Sequence, residues 1–162
     1  MTNRKLYFIL LVAFSGMVFL SLGGGVWGAG QSINHWTGVL FQSVCHQDPT
    51  RSLYLYGAPM AVNSRCFGIF AGILIGWLII PLLSAINFKN KLGLVVLLFA
   101  VMLQILDYSG NLMGYWENTN LSRVLLGGFL GVAVSLSLSD FFYNHNQTKN
   151  SYGRRNTNTG RS

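Results

Sequence analysis

The residues able to do chemistry fall in two short clusters. Cys45-His46-Gln47, Arg51 and Arg65-Cys66 form the first; Asp107, Asn111, Asn120 and Arg123 form the second. A cysteine beside a histidine suits metal ligation or a base-activated thiol, because the thiolate is both the ligand and the nucleophile. Cys45, His46, Cys66 and Asp107 together have the donor types that hold zinc tetrahedrally. Their spacing is not that of a zinc finger, and the neighbours Cys45 and His46 do not easily reach one ion from a helix. A Cys45–Cys66 disulfide is the plainer alternative on an oxidising membrane face. Free thiols are a third, with His46, Arg51 or Arg65 lowering a thiol pKa. All three stay open on the sequence alone.

The arginines raise a second chemistry. A planar guanidinium binds phosphate or carboxylate through two parallel hydrogen bonds. Arg51, Arg65 and Arg123 are therefore candidates either for anion binding or for pairing with Asp48, Asp107 and Glu117. Arg65 and Arg123 sit at the mouths of apolar stretches, where snorkelling to headgroups is the bland explanation. Asp107 is the best-placed carboxylate, suited to acid–base work with His46 and Cys45, to cation ligation, or simply to marking a membrane boundary. On a continuing helix Asp107 and Asn111 share a face, as do Asn120 and Arg123. Asn111, Asn120 and Gln47 are supporting candidates. Thr119 or Asn120 also suits an N-cap.

These side chains need elements to carry them. The 162-residue chain is 51% hydrophobic and only 9% charged, against about a quarter charged in soluble domains. Four apolar stretches cover about residues 6–27, 67–86, 92–108 and 124–142. About 17–25 apolar residues span a bilayer as a helix. Four such stretches leave too little amphipathic chain to cover them in a soluble fold. The expectation is an all-α polytopic membrane protein: a bundle of four transmembrane helices over residues 1–143, with a long first extracytoplasmic loop. Residues 144–162 read as a disordered basic tail.

The net charge of +7 reports topology rather than nucleic acid. Eight of the eleven basic residues lie before the first stretch, between the second and third, or after the fourth. With four crossings these regions share one side, and the positive-inside rule makes it cytoplasmic, with both termini. Both clusters then face outward. The first stretch also has features of a signal peptide, but its length favours an uncleaved span. Residues 33–44 carry Trp36, Val39, Leu40 and Val44 at helical spacing, which suits a helix lying in the membrane interface. Gly72 with Gly76, and Gly127 with Gly131, have the four-residue spacing that lets helices pack closely in lipid.

The order of the motifs carries a resemblance. Cys45-His46-Gln47 with Arg51-Ser52, then Arg65-Cys66 opening a segment with Gly68 and Gly72, resembles a family of small prokaryotic integral membrane proteins, a domain of unknown function. Asp107, Gly114, Thr119, Asn120, Arg123 and Gly127 fit that family's later motif. Tyr108 stands where the family has glycine, and Asn111 where it has glutamine. A cysteine just before Arg-Cys is missing near Asn63, which weakens the zinc reading. The resemblance implies a membrane protein centred on this constellation and imports no activity.

Two functional classes follow. One is a membrane enzyme or binding protein for an anionic lipid or lipid-linked intermediate, its phosphate on the arginines. The other is a non-catalytic subunit or assembly factor with a membrane protein partner, its polar cluster a structural lock. A transporter ranks third, since Pro81 and Gln104 are the only interruptions inside the stretches.

Overall fold

The computed structural model describes residues 4–27, 36–83 and 92–138. The elements run α1 (Arg4–Ser21), α2 (Gly24–Trp27), α3 (Trp36–Phe41), a 3-10 turn (Pro49–Arg51), β1 (Tyr54–Leu55), β2 (Ala58–Pro59), α4 (Ser64–Leu83) and α5 (Leu92–Leu112). Helix α6 covers Asn120–Leu138. Helices α4, α5 and α6 are each long and apolar enough to cross a membrane, and α1 is a shorter apolar helix. Leu94, Leu98, Met102 and Ile105 of α5 are exposed, as are Phe8, Ile9 and Val12 of α1. In water such surfaces would drive association, whereas lipid tails cover them without cost. The chain is an all-α polytopic membrane protein. The expected basic tail and the Lys89–Lys91 link lie outside the described residues.

The apolar stretch 6–27 is not one helix. Leu22 N–H donates to Phe19 O at 3.3 Å and Gly23 N–H to Leu20 O at 3.4 Å, a tightening typical of a helix end. Gly23 then turns left-handed at φ +74°, and a Cβ there would meet Ala61 N at 2.5 Å. The Ala61 N–H donates to Ser21 O at 3.1 Å, so the outer segment itself terminates α1. Trp27 Nε1 donates to Phe19 O at 2.9 Å, a second donor to a carbonyl of the last turn of α1.

Helices α4 and α6 approach most closely, through their small residues. A Cβ on Gly72 would lie 2.2 Å from Gly128 O, and one on Gly131 would lie 2.3 Å from Ile69 O. Ser135 Oγ donates to Ile73 O at 2.8 Å across the same seam. The packing role read from the Gly72–Gly76 and Gly127–Gly131 spacings is what these glycines perform. Helix α1 packs on α4 through Tyr7 and Trp77, whose rings stack at 5.7 Å and 17°. Each also donates to the other's backbone carbonyl, both at 3.3 Å. Helix α5 meets α6 through an edge-on Phe99–Phe129 contact at 6.2 Å.

The outer segment is ordered by a small core. Phe41, Cys45, Ala61 and Val62 are buried together, with Leu20, Cys66, Phe67 and Phe70 against them. Helix α3 buries Thr37, Gly38 and Phe41 on this side and leaves Trp36, Val39 and Leu40 exposed. Strands β1 and β2 pair antiparallel through Tyr54↔Pro59 and Leu55↔Ala58. Tyr56 at φ 50° and Gly57 at φ 82° close the hairpin, the two positive values of a tight two-residue turn. The segment thus folds back over the start of α4 and the start of α6.

Candidate functional site

Helix geometry brings the two sequence clusters to one end of the molecule. Arg65 lies in the first turn of α4, and Asp107 lies in the last turns of α5 because that helix runs on to Leu112. Arg65 Nη2 donates to Asp107 Oδ2 in an ion pair whose side chains are 27% and 11% exposed. At that burial a carboxylate costs several kcal/mol unless it is paired and hydrogen-bonded. Asn118 Nδ2 adds a second donor to the same oxygen at 2.7 Å. Asp107 is therefore an ion-pair partner. Asn111, one turn further on, donates to Trp116 O at 3.1 Å and shapes the link between α5 and α6.

Arg123 sits on the first turn of α6. Its Nη1 donates to Asn120 Oδ1 at 3.3 Å, while Asn120 Nδ2 donates to Ser52 O at 3.2 Å. This chain of contacts ties α6 to the outer segment. The helix itself is capped by Thr119, whose Oγ1 accepts from Ser122 N–H at 3.2 Å. Arg51 Nε lies 3.2 Å from Asp48 Oδ2 on the surface. The Thr50 hydroxyl at 2.7 Å and its N–H at 3.0 Å, with help from Arg51, hold the Asp48 carboxyl below the ordinary range.

Arg123 lies within electrostatic reach of Arg51 and Arg65, and of Asp107 and Asp48. Among the described residues the ion pairs are Arg51–Asp48 and Arg65–Asp107, so two carboxylates stand against three guanidiniums. Among the described residues, the side-chain acceptor shown for Arg123 is the Asn120 amide oxygen. At the start of α4, Ser64 Oγ and Arg65 Nε are buried without a hydrogen-bond partner among the described residues. Buried donors of this kind call for an explanation, since each costs about 1–3 kcal/mol when left unmade.

Cys45 and Cys66 are unbonded in this structure. They meet side by side: the Cys66 S–H donates to Cys45, whose sulfur also accepts Asn63 N–H at 3.2 Å. Those donors, led by the Cys66 S–H and aided by the Gln47 N–H and the His46 charge, pull the Cys45 thiol below its ordinary range despite burial. The four-residue zinc set does not assemble. Among the described residues no three of His, Cys, Asp or Glu are placed to hold a metal ion. The backbone explains this, because Cys45 turns into the core while His46 is exposed on the loop. Gln47, at φ 51°, reaches back to donate to Gly38 O and fixes the loop on α3.

Sequence reasoning missed Asn118, Asn63, Ser64 and the carbonyl of Ser52. Asn118 has a weak signal, as one of two asparagines flanking the α6 cap. A backbone carbonyl has none.

Comparison with known proteins places this constellation in context. The model of the family described as "Predicted membrane protein (DUF2085)" matches residues 45–137, the stretch that holds every residue of the site. "Uncharacterized protein MJ1492" of Methanocaldococcus jannaschii is 31% identical over 151 residues, covering 86% of this chain and 94% of that protein. No solved structure matches. The site residues from Cys45 to Arg123 thus lie within one shared domain, and the chain belongs to the family of predicted membrane proteins that this model describes.

Proposed function

We propose that the outer-end cluster binds the phosphate of an anionic lipid or lipid-linked intermediate, with Arg123 as the principal anchor and Arg65 and Arg51 beside it. In this reading both termini are cytoplasmic and the cluster faces outward, at headgroup depth. The observation that carries it is the charge imbalance: a third guanidinium, half-buried among two others, has no carboxylate of its own. A phosphate oxygen would supply that charge, and the unpartnered Arg65 Nε and Ser64 Oγ offer further donors. The exposed His46 and the ion-paired Asp107 favour binding over acid–base catalysis.

The alternative, a non-catalytic subunit whose polar cluster is a lock, is favoured by one set of contacts. Arg65, Asp107, Asn118, Asn120 and Ser52 already join α4, α5, α6 and the outer segment without a ligand. Arg123 separates the two readings.

The test is lipid retention by the delipidated protein, measured by native mass spectrometry with phosphatidic acid and phosphatidylcholine. A charge-assisted hydrogen bond contributes about 1.5–3 kcal/mol, and 1.4 kcal/mol is tenfold in affinity. Arg123→Gln is therefore expected to weaken phosphatidic acid binding at least tenfold. Equal binding of phosphatidic acid by parent and variant would leave only the lock.

A further inference from the structure

The thiol pair is unused by the anion site. Cys45 follows α3 in the outer segment, while Cys66 lies on the first turn of α4, so the pair bridges two elements. Cys45 is 5% exposed, packed with Phe41, Ala61 and Val62, and Cys66 lies against the same core with partial exposure. The thiols share an S–H···S contact, and Asn63 N–H donates to Cys45 Sγ at 3.2 Å. Two cysteines serving only as small apolar core residues need no such hydrogen bonding.

We infer that Cys45 and Cys66 form a reversible dithiol–disulfide couple, an exchange site whose substrate is a disulfide. Cys66 is the more exposed residue of the two and reacts first. As it attacks one sulfur of the incoming disulfide it gives its proton to the Cys45 sulfur that already accepts its hydrogen bond, the substrate S–S bond breaks, and one substrate thiolate leaves. Cys45 Sγ, already in contact and held by the Asn63 N–H, attacks Cys66 Sγ of the mixed disulfide and expels the second substrate thiolate. The two protons shed by Cys45 and Cys66 end on the two substrate thiols. Two electrons pass from the pair to the substrate, and a dithiol reverses the process.

Closure has a structural consequence. The sulfurs must move from hydrogen-bond contact to a bond of about 2.05 Å, which draws the outer segment toward α4. Asn63 then releases or follows Cys45, and Asn63 Oδ1 is the acceptor of Ser52 Oγ at 3.3 Å. Ser52 in turn holds Asn120 through its carbonyl. The redox state of the pair thus reaches the segment that positions Arg123, although the exchange chemistry itself does not depend on anion binding.

The experiment equilibrates the full-length protein in detergent against mixtures of reduced and oxidised dithiothreitol. Free thiols are then blocked with N-ethylmaleimide and counted by intact mass. The expected result is one two-electron transition, from two adducts to none, with near-UV circular dichroism retained throughout. Peptide mapping of the oxidised form should find Cys45 joined to Cys66, so the result does not rely on a variant that fails to fold. Cys45→Ser should keep one adduct in every mixture. Two adducts under fully oxidising conditions would overturn the proposal. So would no adducts under fully reducing conditions with the fold intact, which would mark a fixed staple.

Discussion

Asp107→Ala is expected to destabilise the protein by about 3 kcal/mol, the lower end of the range for breaking a buried ion pair from one side. Its carboxylate is 11% exposed and is the acceptor for both Arg65 and Asn118. Truncation leaves the Arg65 guanidinium facing a void, although its Nε is already buried without a partner. Asn118 loses its acceptor in the same step. Arg65→Ala should cost less, because Asn118 continues to serve the carboxylate and Arg65 is the more exposed partner at 27%. The double variant should be little worse than Asp107→Ala. Residues in one network couple by about 0.5–3 kcal/mol, whereas independent sites add to within about 0.3–0.5. Unfolding in mixed detergent micelles measures all four corners of the cycle. Additive losses would mean that the ion pair contributes nothing as a pair.

Gly72→Val should be as damaging, through packing rather than charge. A Cβ at this position would lie 2.2 Å from Gly128 O, 2.8 Å from Gly128 C and 2.9 Å from its Cα. The obstacle is backbone, so no side-chain rotation relieves it and α4 must separate from α6. Overpacking of this kind costs about 1–3 kcal/mol, and occasionally more. Separation also lengthens the Ser135 Oγ–Ile73 O bond, which is 2.8 Å across the seam. Arg65 rides on α4 and Arg123 on α6, so ligand affinity should fall together with stability. Gly16→Val on α1 is the control, since a Cβ there meets nothing within 4 Å. A β-branched residue costs a helix interior only a few tenths of a kcal/mol relative to other ordinary residues. Equal losses at Gly16 and Gly72 would contradict the close α4–α6 approach.

The sequence disclosed what depends on hydropathy and on helix periodicity. Apolar length placed the helices α4, α5 and α6, and crossing parity brought Arg65 and Asp107 to the same end of the bundle. The small-residue spacings identified the α4–α6 seam. What it concealed depends on tertiary backbone contacts. Gly23 breaks the first apolar stretch because Ala61 N–H takes up the Ser21 carbonyl, a partner forty residues away that hydropathy does not register. The adjacency of Cys45 and His46 suggested shared ligation, but consecutive side chains on an extended loop diverge, one into the core and one into solvent. Asp107 was legible as a boundary carboxylate, whereas its second donor, Asn118, comes from the turn after α5. Arg123 was recognisable as an arginine in an unfavourable place. Only the two ion pairs among the described residues show which guanidinium is without a carboxylate.

The most direct measurement of the anion-binding claim supplies the missing charge from within. Asn120 Oδ1 already accepts from Arg123 Nη1 at 3.3 Å, so Asn120→Asp places a carboxylate beside that guanidinium with almost no change of shape. If Arg123 holds its charge for a phosphate, the new carboxylate competes for it and repels the ligand. Phosphatidic acid affinity, measured on the folded variant by native mass spectrometry, should then fall at least tenfold, or about 1.4 kcal/mol. Unchanged affinity in Asn120→Asp would contradict the claim that Arg123 is the anchor of an anion site.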